Sequence, residues 1–127
     1  IGRALKKLVD NEIRVDVVTT IDEQDFLADT QFDDATIKNM NKNTILFASS
    51  MTNDNVLNKF DKEKIYLFEA FLSFFNDNDG FTGFSVGEAT LDLLLRFNPK
   101  KIYILGLDLA LNQKLEILTH LEIKQVL

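Results

Sequence analysis

Hydrophobic positions along the chain alternate between helical and extended spacing. In residues 2–12, Ala4, Leu5, Leu8 and Val9 share one helical face, and Arg3, Lys6, Lys7 and Asp10 take the other; this predicts an amphipathic helix. Residues 13–22 are rich in β-branched side chains and end on Asp22, which predicts a strand. Residues 26–43 are polar overall, with a surface helix expected around residues 33–40. Thr44-Ile45-Leu46-Phe47-Ala48 is a short apolar run before Ser49 and Ser50 and reads as a buried strand. Residues 53–60 are expected to form a short helix, and Lys64-Ile65-Tyr66-Leu67-Phe68 a third strand.

Asn76-Asp77-Asn78-Asp79-Gly80 is punctuated as a loop that continues through Thr82-Gly83-Phe84-Ser85. Residues 86–98 form the clearest helical pattern, with Val86, Ala89, Thr90, Leu93, Leu94 and Phe97 on one wide face and Pro99 as the stop. Lys101-Ile102-Tyr103-Ile104-Leu105-Gly106 reads as a fourth strand. Residues 115–127 alternate as a strand would, while their Glu, Lys and Gln content equally suits a helix. Strands apolar on both faces and separated by helices imply an α/β fold with a parallel sheet covered by helices on its faces. No linker or repeat divides the chain, so residues 1–127 are expected to form one domain. The start at Ile1 leads us to expect a piece of a longer protein.

In such sheets ligands bind beyond the carboxyl ends of the strands. Those ends carry Asp22, Ser49 and Ser50, Glu69, and Gly106 to Asp108. The helix entered through Thr82-Gly83-Phe84-Ser85 presents backbone N–H groups that suit a phosphate, with the Ser85 hydroxyl as a further donor. The same residues fit a simpler reading. Ser85-Val86-Gly87-Glu88 matches a capping box, and the Glu88 carboxylate would repel an anion. Asp108 suits a sugar or base amine, but an Asx-turn or a cap explains it as well. Gly106 would let a ligand approach the backbone.

Composition removes several function classes. The 127 residues carry 20 acidic and 14 basic side chains, a net charge of −6, which disfavours broad nucleic-acid binding. With zero Cys there is no disulfide scaffold and no thiolate zinc site. The single His, His120, excludes any site that needs two His ligands from one chain, and leaves His120 as a candidate general base. No apolar run approaches the ~20 residues of a membrane span, and no signal peptide is visible. There is no G-x-G-x-x-G, no G-x-x-x-x-G-K-S/T and no G-x-S-x-G. An EF-hand with Gly80 at its sixth position would need an acid at Phe75 and Glu at Val86, and both fail. Phe71, Phe74, Phe75, Phe81 and Phe84 cluster after Phe68 and read as core or as a surface for a partner.

Three segments together resemble one family. Ala4-Leu5-Lys6-Lys7-Leu8 followed by Ile13-Arg14-Val15-Asp16-Val17-Val18 and Ile21-Asp22 resembles its A-L-x-x-L … G-I-x-P-D-x-x-x-x-x-D stretch, with Val15 in place of Pro. Residues 81–93 resemble its G-G-S-V loop and helix. Lys101 to Ala110 resembles its I-x-L-x-G-x-D-L-A strand. This is the motility accessory factor family, whose central domain is related to 6-hydroxymethylpterin diphosphokinase and similar to bacterial sialyltransferases.

The resemblance implies a cytoplasmic glycosyltransferase domain that takes a nonulosonic acid of the pseudaminic or legionaminic type from a CMP-sugar to Ser or Thr of flagellin. By that similarity Thr82, Gly83 and Ser85 lie near the CMP phosphate, Gly106 and Asp108 line the nucleotide pocket, and Asp22 faces the same cleft. Thr119-His120 matches a T-H-x element of the family, so His120 is the candidate base. The chemistry implied has no cofactor or metal, only the nucleotide sugar as donor, and the partners implied exclude nucleic acid and membrane. The resemblance also implies a Rossmann-like domain whose G-x-G-P-S-L loop and first strand stand upstream of Ile1. Two other readings stand beside this one: an ATP-dependent pterin diphosphokinase, and a non-catalytic scaffold that binds flagellin.

Overall fold

A computed structural model describes residues 2–70 and 85–107. The chain divides into two compact units, Ile1–Phe97 and Asn98–Leu127, and each is described by itself. The first unit runs α1 (Gly2–Asp10), β1 (Val17–Thr20), α2 (Leu27–Thr30), α3 (Asp34–Asn39), β2 (Ile45–Ser49), α4 (Asp54–Leu57), a 3-10 turn at Lys62–Lys64, β3 (Ile65–Phe68) and α5 (Val86–Arg96). The three strands form one parallel sheet in the order β1-β2-β3. This is the α/β arrangement of a Rossmann-like fragment.

Register fixes which side chains share a face. Val18 pairs with Leu46 and Leu46 with Ile65, while Thr19, Phe47 and Tyr66 form the next row on the opposite face. On the first face Val18, Leu46 and Ala48 pack with Leu5 of α1, Leu27 and Ala28 of α2, and Val56 of α4. Phe32 lies in the same core, fully buried, with its ring edge-on to Phe60 at 5.9 Å. On the second face Phe47 meets Tyr66 and Phe97, with centroids 5.5 and 6.3 Å apart. It also packs against the cluster of Ile21, Phe68, Ala70 and Ala89. Helices therefore lie on both faces: α1, α2 and α4 on one, α5 on the other.

The helix ends follow their local chemistry. Before α3, Asp33 accepts from the Thr36 backbone N–H at 3.0 Å and from its hydroxyl at 2.8 Å. Helix α1 closes with Glu12 in the left-handed region at φ 57° and the Ile13 N–H bonded back to the Leu8 carbonyl. That reversal is why the extended segment expected from Ile13 begins only at Val17. Ile13 itself is 53% exposed. Thr44 is buried, and its hydroxyl reaches the Val15 carbonyl at 2.8 Å and the Asn41 carbonyl at 2.7 Å, so it ties the entry of β2 to the approach to β1.

Two expectations need correction. The polar stretch 26–43 carries not only the surface helix but also α2 and the core residue Phe32, because a single aromatic in a polar run leaves no periodic signal. Where the fourth strand was expected, residues 101–105 form no ladder among the described residues. Alternating apolar residues favour extended backbone, but a strand exists only where a neighbour takes its N–H and C=O groups. The ambiguous tail, the acidic loop 76–80 and the Phe-rich segment from Phe71 to Phe84 lie outside the described residues.

Two predictions follow from this packing. Phe32→Ala removes a fully buried ring and is expected to lower unfolding free energy by about 3–5 kcal/mol, measured by urea denaturation. The Thr36 N–H and hydroxyl, and then Lys6, lower the Asp33 carboxyl from 3.8 to about 2. Its pKa is depressed in the folded chain, so the stabilisation is complete above pH 3.8 and is lost as pH falls through about 2. Asp33→Asn is expected to flatten that acid limb in thermal melts recorded between those pH values, and an unchanged limb would remove Asp33 as its source.

Candidate functional site

All three strands run in the same direction, so their carboxyl ends meet at one edge of the sheet. Thr20 ends β1, Ser49 ends β2, and Glu69 follows β3. Each is buried, as is Thr52 in the loop after β2. Four polar side chains buried at one end of a small sheet are unusual, since such groups normally stay at the surface unless paired. Ser49 Oγ accepts from the Met51 N–H at 3.0 Å and shapes the turn after β2. The Thr52 hydroxyl lies 3.5 Å from the Thr20 carbonyl, at the outer limit of a hydrogen bond. The Asn53 amide donates to the Glu23 carbonyl at 3.2 Å, and the Asn55 amide donates to Asp25. These bonds hold the loops after β1 and β2 together.

Helix α5 arrives at the same edge. Val86 and Ala89 pack with Ile21 and Phe68. Ile21 precedes Asp22, Phe68 precedes Glu69 and Val86 follows Ser85, so this small apolar cluster brings three polar positions to one end of the sheet. Asp22 is exposed there and Glu69 is 8% exposed. The start of α5 is a complete capping box. Ser85 Oγ accepts from the Glu88 N–H at 3.2 Å, and Glu88 Oε2 accepts from the Ser85 N–H at 3.1 Å. The simpler reading of Ser85 therefore holds. An anion at this helix end would share it with the Glu88 carboxylate, which already takes one of the N–H groups.

Of the residues singled out in the sequence, the fold brings Asp22, Ser49, Glu69 and Ser85 to this edge. Gly106, in the second unit, has φ +70° and nothing within 4 Å of where a Cβ would stand. That backbone conformation favours glycine. Thr82, Gly83, Asp108 and His120 lie outside the described residues. Thr20 and Thr52 escaped the sequence reading. Thr20 sits in a β-branched run where threonine reads as strand propensity, and Thr52 carries no motif. Among the described residues no cluster of three or more His, Asp or Glu side chains is placed to hold a metal ion, and no helix is long and apolar enough to cross a membrane.

The arrangement has hydroxyl groups, the exposed Asp22 carboxylate and the capped N-terminus of α5, all at the end of a parallel sheet. That combination suits a ligand with hydroxyl and phosphate groups. A sequence profile for 6-hydroxymethylpterin diphosphokinase MptE-like proteins matches residues 1–114. The chain belongs to that family. The match runs from α1 through the whole sheet and α5 to beyond Gly106, so every described element lies within it. No curated protein and no solved structure gives a significant match.

The capping box generates its own prediction. Ser85→Ala is expected to destabilise the first unit by about 1 kcal/mol, read from denaturant midpoints, whereas Ser85→Asp retains the cap and most of the stability. Equal loss in both variants would show that the cap is not what Ser85 contributes.

Proposed function

We propose that the chain is the nucleotide-binding region of a motility accessory factor, a glycosyltransferase that moves a nonulosonic acid from a CMP-sugar to Ser or Thr of flagellin in the cytoplasm. Membership of the MptE-like family carries this reading, because that domain is the one to which the motility accessory factor motifs belong. The polar carboxyl edge supports it with the groups a CMP-sugar needs: carboxylates for ribose hydroxyls and fixed donors for the phosphate. In the proposed mechanism Thr82, Gly83 and Ser85 stabilise the charge that develops on the CMP phosphate as the glycosidic bond breaks. Asp108 and Asp22 orient the nucleoside, and His120 accepts the proton of the attacking hydroxyl. No cofactor takes part.

The second reading, transfer of diphosphate from ATP to a pterin, rests on the family's description. Its T-D-L-D-G element stands here as Thr20-Ile21-Asp22-Glu23, and its H-x-H-G-D-N loop has no counterpart in a chain whose single His is His120. These departures rank it second. A scaffold that binds flagellin without nucleotide ranks third.

Titration of isotopically labelled protein with CMP, and separately with ATP, separates the three. CMP is expected to shift amides in residues 82–86 and 106–108, and Asp108→Ala to weaken binding about tenfold or more. Glu88→Gln keeps an acceptor for the Ser85 N–H while removing a charge, so it is expected to strengthen CMP binding about two- to fivefold. Shifts with ATP alone would favour diphosphate transfer, and flagellin binding with no nucleotide response would favour the scaffold.

A further inference from the structure

The amino-terminal end of the sheet holds a cavity of about 220 Å³, away from the edge described above. Lysines from three segments line it: Lys38 of α3, Lys42 ahead of β2, and Lys59 and Lys64 between α4 and β3. Met40 and the buried ring of Phe60 supply apolar wall. Four of the 14 basic residues of a chain with net charge −6 thus surround one small concavity. Two carboxylates answer them, Asp34 paired with Lys59 and Asp61 with Lys64 at 2.6 Å. Among the described residues Lys38 and Lys42 make no ion pair. Asp34 and Asp61 are 91% and 73% exposed, so both pairs are weak and open to exchange. Asp29 and Asp33 also lie near enough to act on Lys59, so what the cavity offers an anion is the ammonium groups of Lys38 and Lys42 beside an apolar wall.

The lining chemistry points to an anion: the cations are all Lys, and ammonium groups are compact point charges that suit phosphate-type oxygens. The volume is below the ~300–1,000 Å³ of ordinary small-molecule pockets, which suits an inorganic-sized anion. We propose that this cavity binds a small multivalent oxyanion of the phosphate and diphosphate class, independently of the carboxyl-edge site.

Titration of the full chain with inorganic diphosphate tests this. Amide shifts are expected at Lys38, Lys42, Lys59 and Lys64 and their neighbours. The double variant Lys38→Gln, Lys42→Gln is expected to bind about tenfold more weakly with an unchanged far-UV spectrum. Lys38→Arg, Lys42→Arg should retain most of the binding, which keeps the test readable if the Gln variant folds poorly. Chloride at matched ionic strength is expected to leave these amides unshifted. Equal shifts with chloride, or full affinity in the Gln variant, overturns the proposal. Co-sedimentation with phosphatidate vesicles, lost in the Gln variant, would also overturn it by assigning the cavity to a lipid headgroup.

Discussion

Everything in the first unit depends on β2 being hydrogen-bonded on both sides. Leu46 and Ala48 point to one face and are fully buried, and Phe47 points to the other. A central parallel strand must bury both faces, so helices have to cover both. Here α1, α2 and α4 serve the Leu46 face, and α5 is the element that packs near Phe47. Because parallel pairing points every strand the same way, the covering also gathers Thr20, Ser49 and Glu69 at one end and the lysine-lined cavity at the other. The two candidate sites are consequences of one direction of pairing.

The polar groups at the carboxyl edge are held by different forces. Ser49 and Asn53 are committed to turn geometry, and Ser85 and Glu88 to each other. Glu69 and Thr52 are buried at the same edge. The capping box stiffens the start of α5 while placing a carboxylate where a phosphate would dock. An anion bound there would compete with Glu88 for the same helix end.

Much of the fold was legible from residue order. The face of α1 follows from the spacing of Leu5, Leu8 and Val9. The cap of α5 follows from Ser85 and Glu88 three positions apart, and β2 and β3 follow from their short apolar runs. All of these are local, with the signal and the structure lying within one or two turns of chain. The misses are non-local. Phe32 is a lone aromatic between polar residues, and its burial depends on Phe60, 28 positions away in sequence. Residues 101–105 have strand composition but form no ladder among the described residues, and pairing is a property of two segments.

The sequence by itself determined the class of the protein: helices and strands in alternation, an acidic chain without thiols, and the motifs that mark its family. Tertiary structure alone decided which polar residues meet. Thr20 and Thr52 become neighbours of the candidate site only because parallel register brings two strand ends and a loop together, and Lys38, Lys42, Lys59 and Lys64 converge only once α3, α4 and the strands are packed. Local spacing fixes the conformation of a segment through its own hydrogen bonds and rotamers. Convergence of distant side chains depends on how hydrophobic faces are buried against one another, and no single segment carries that information.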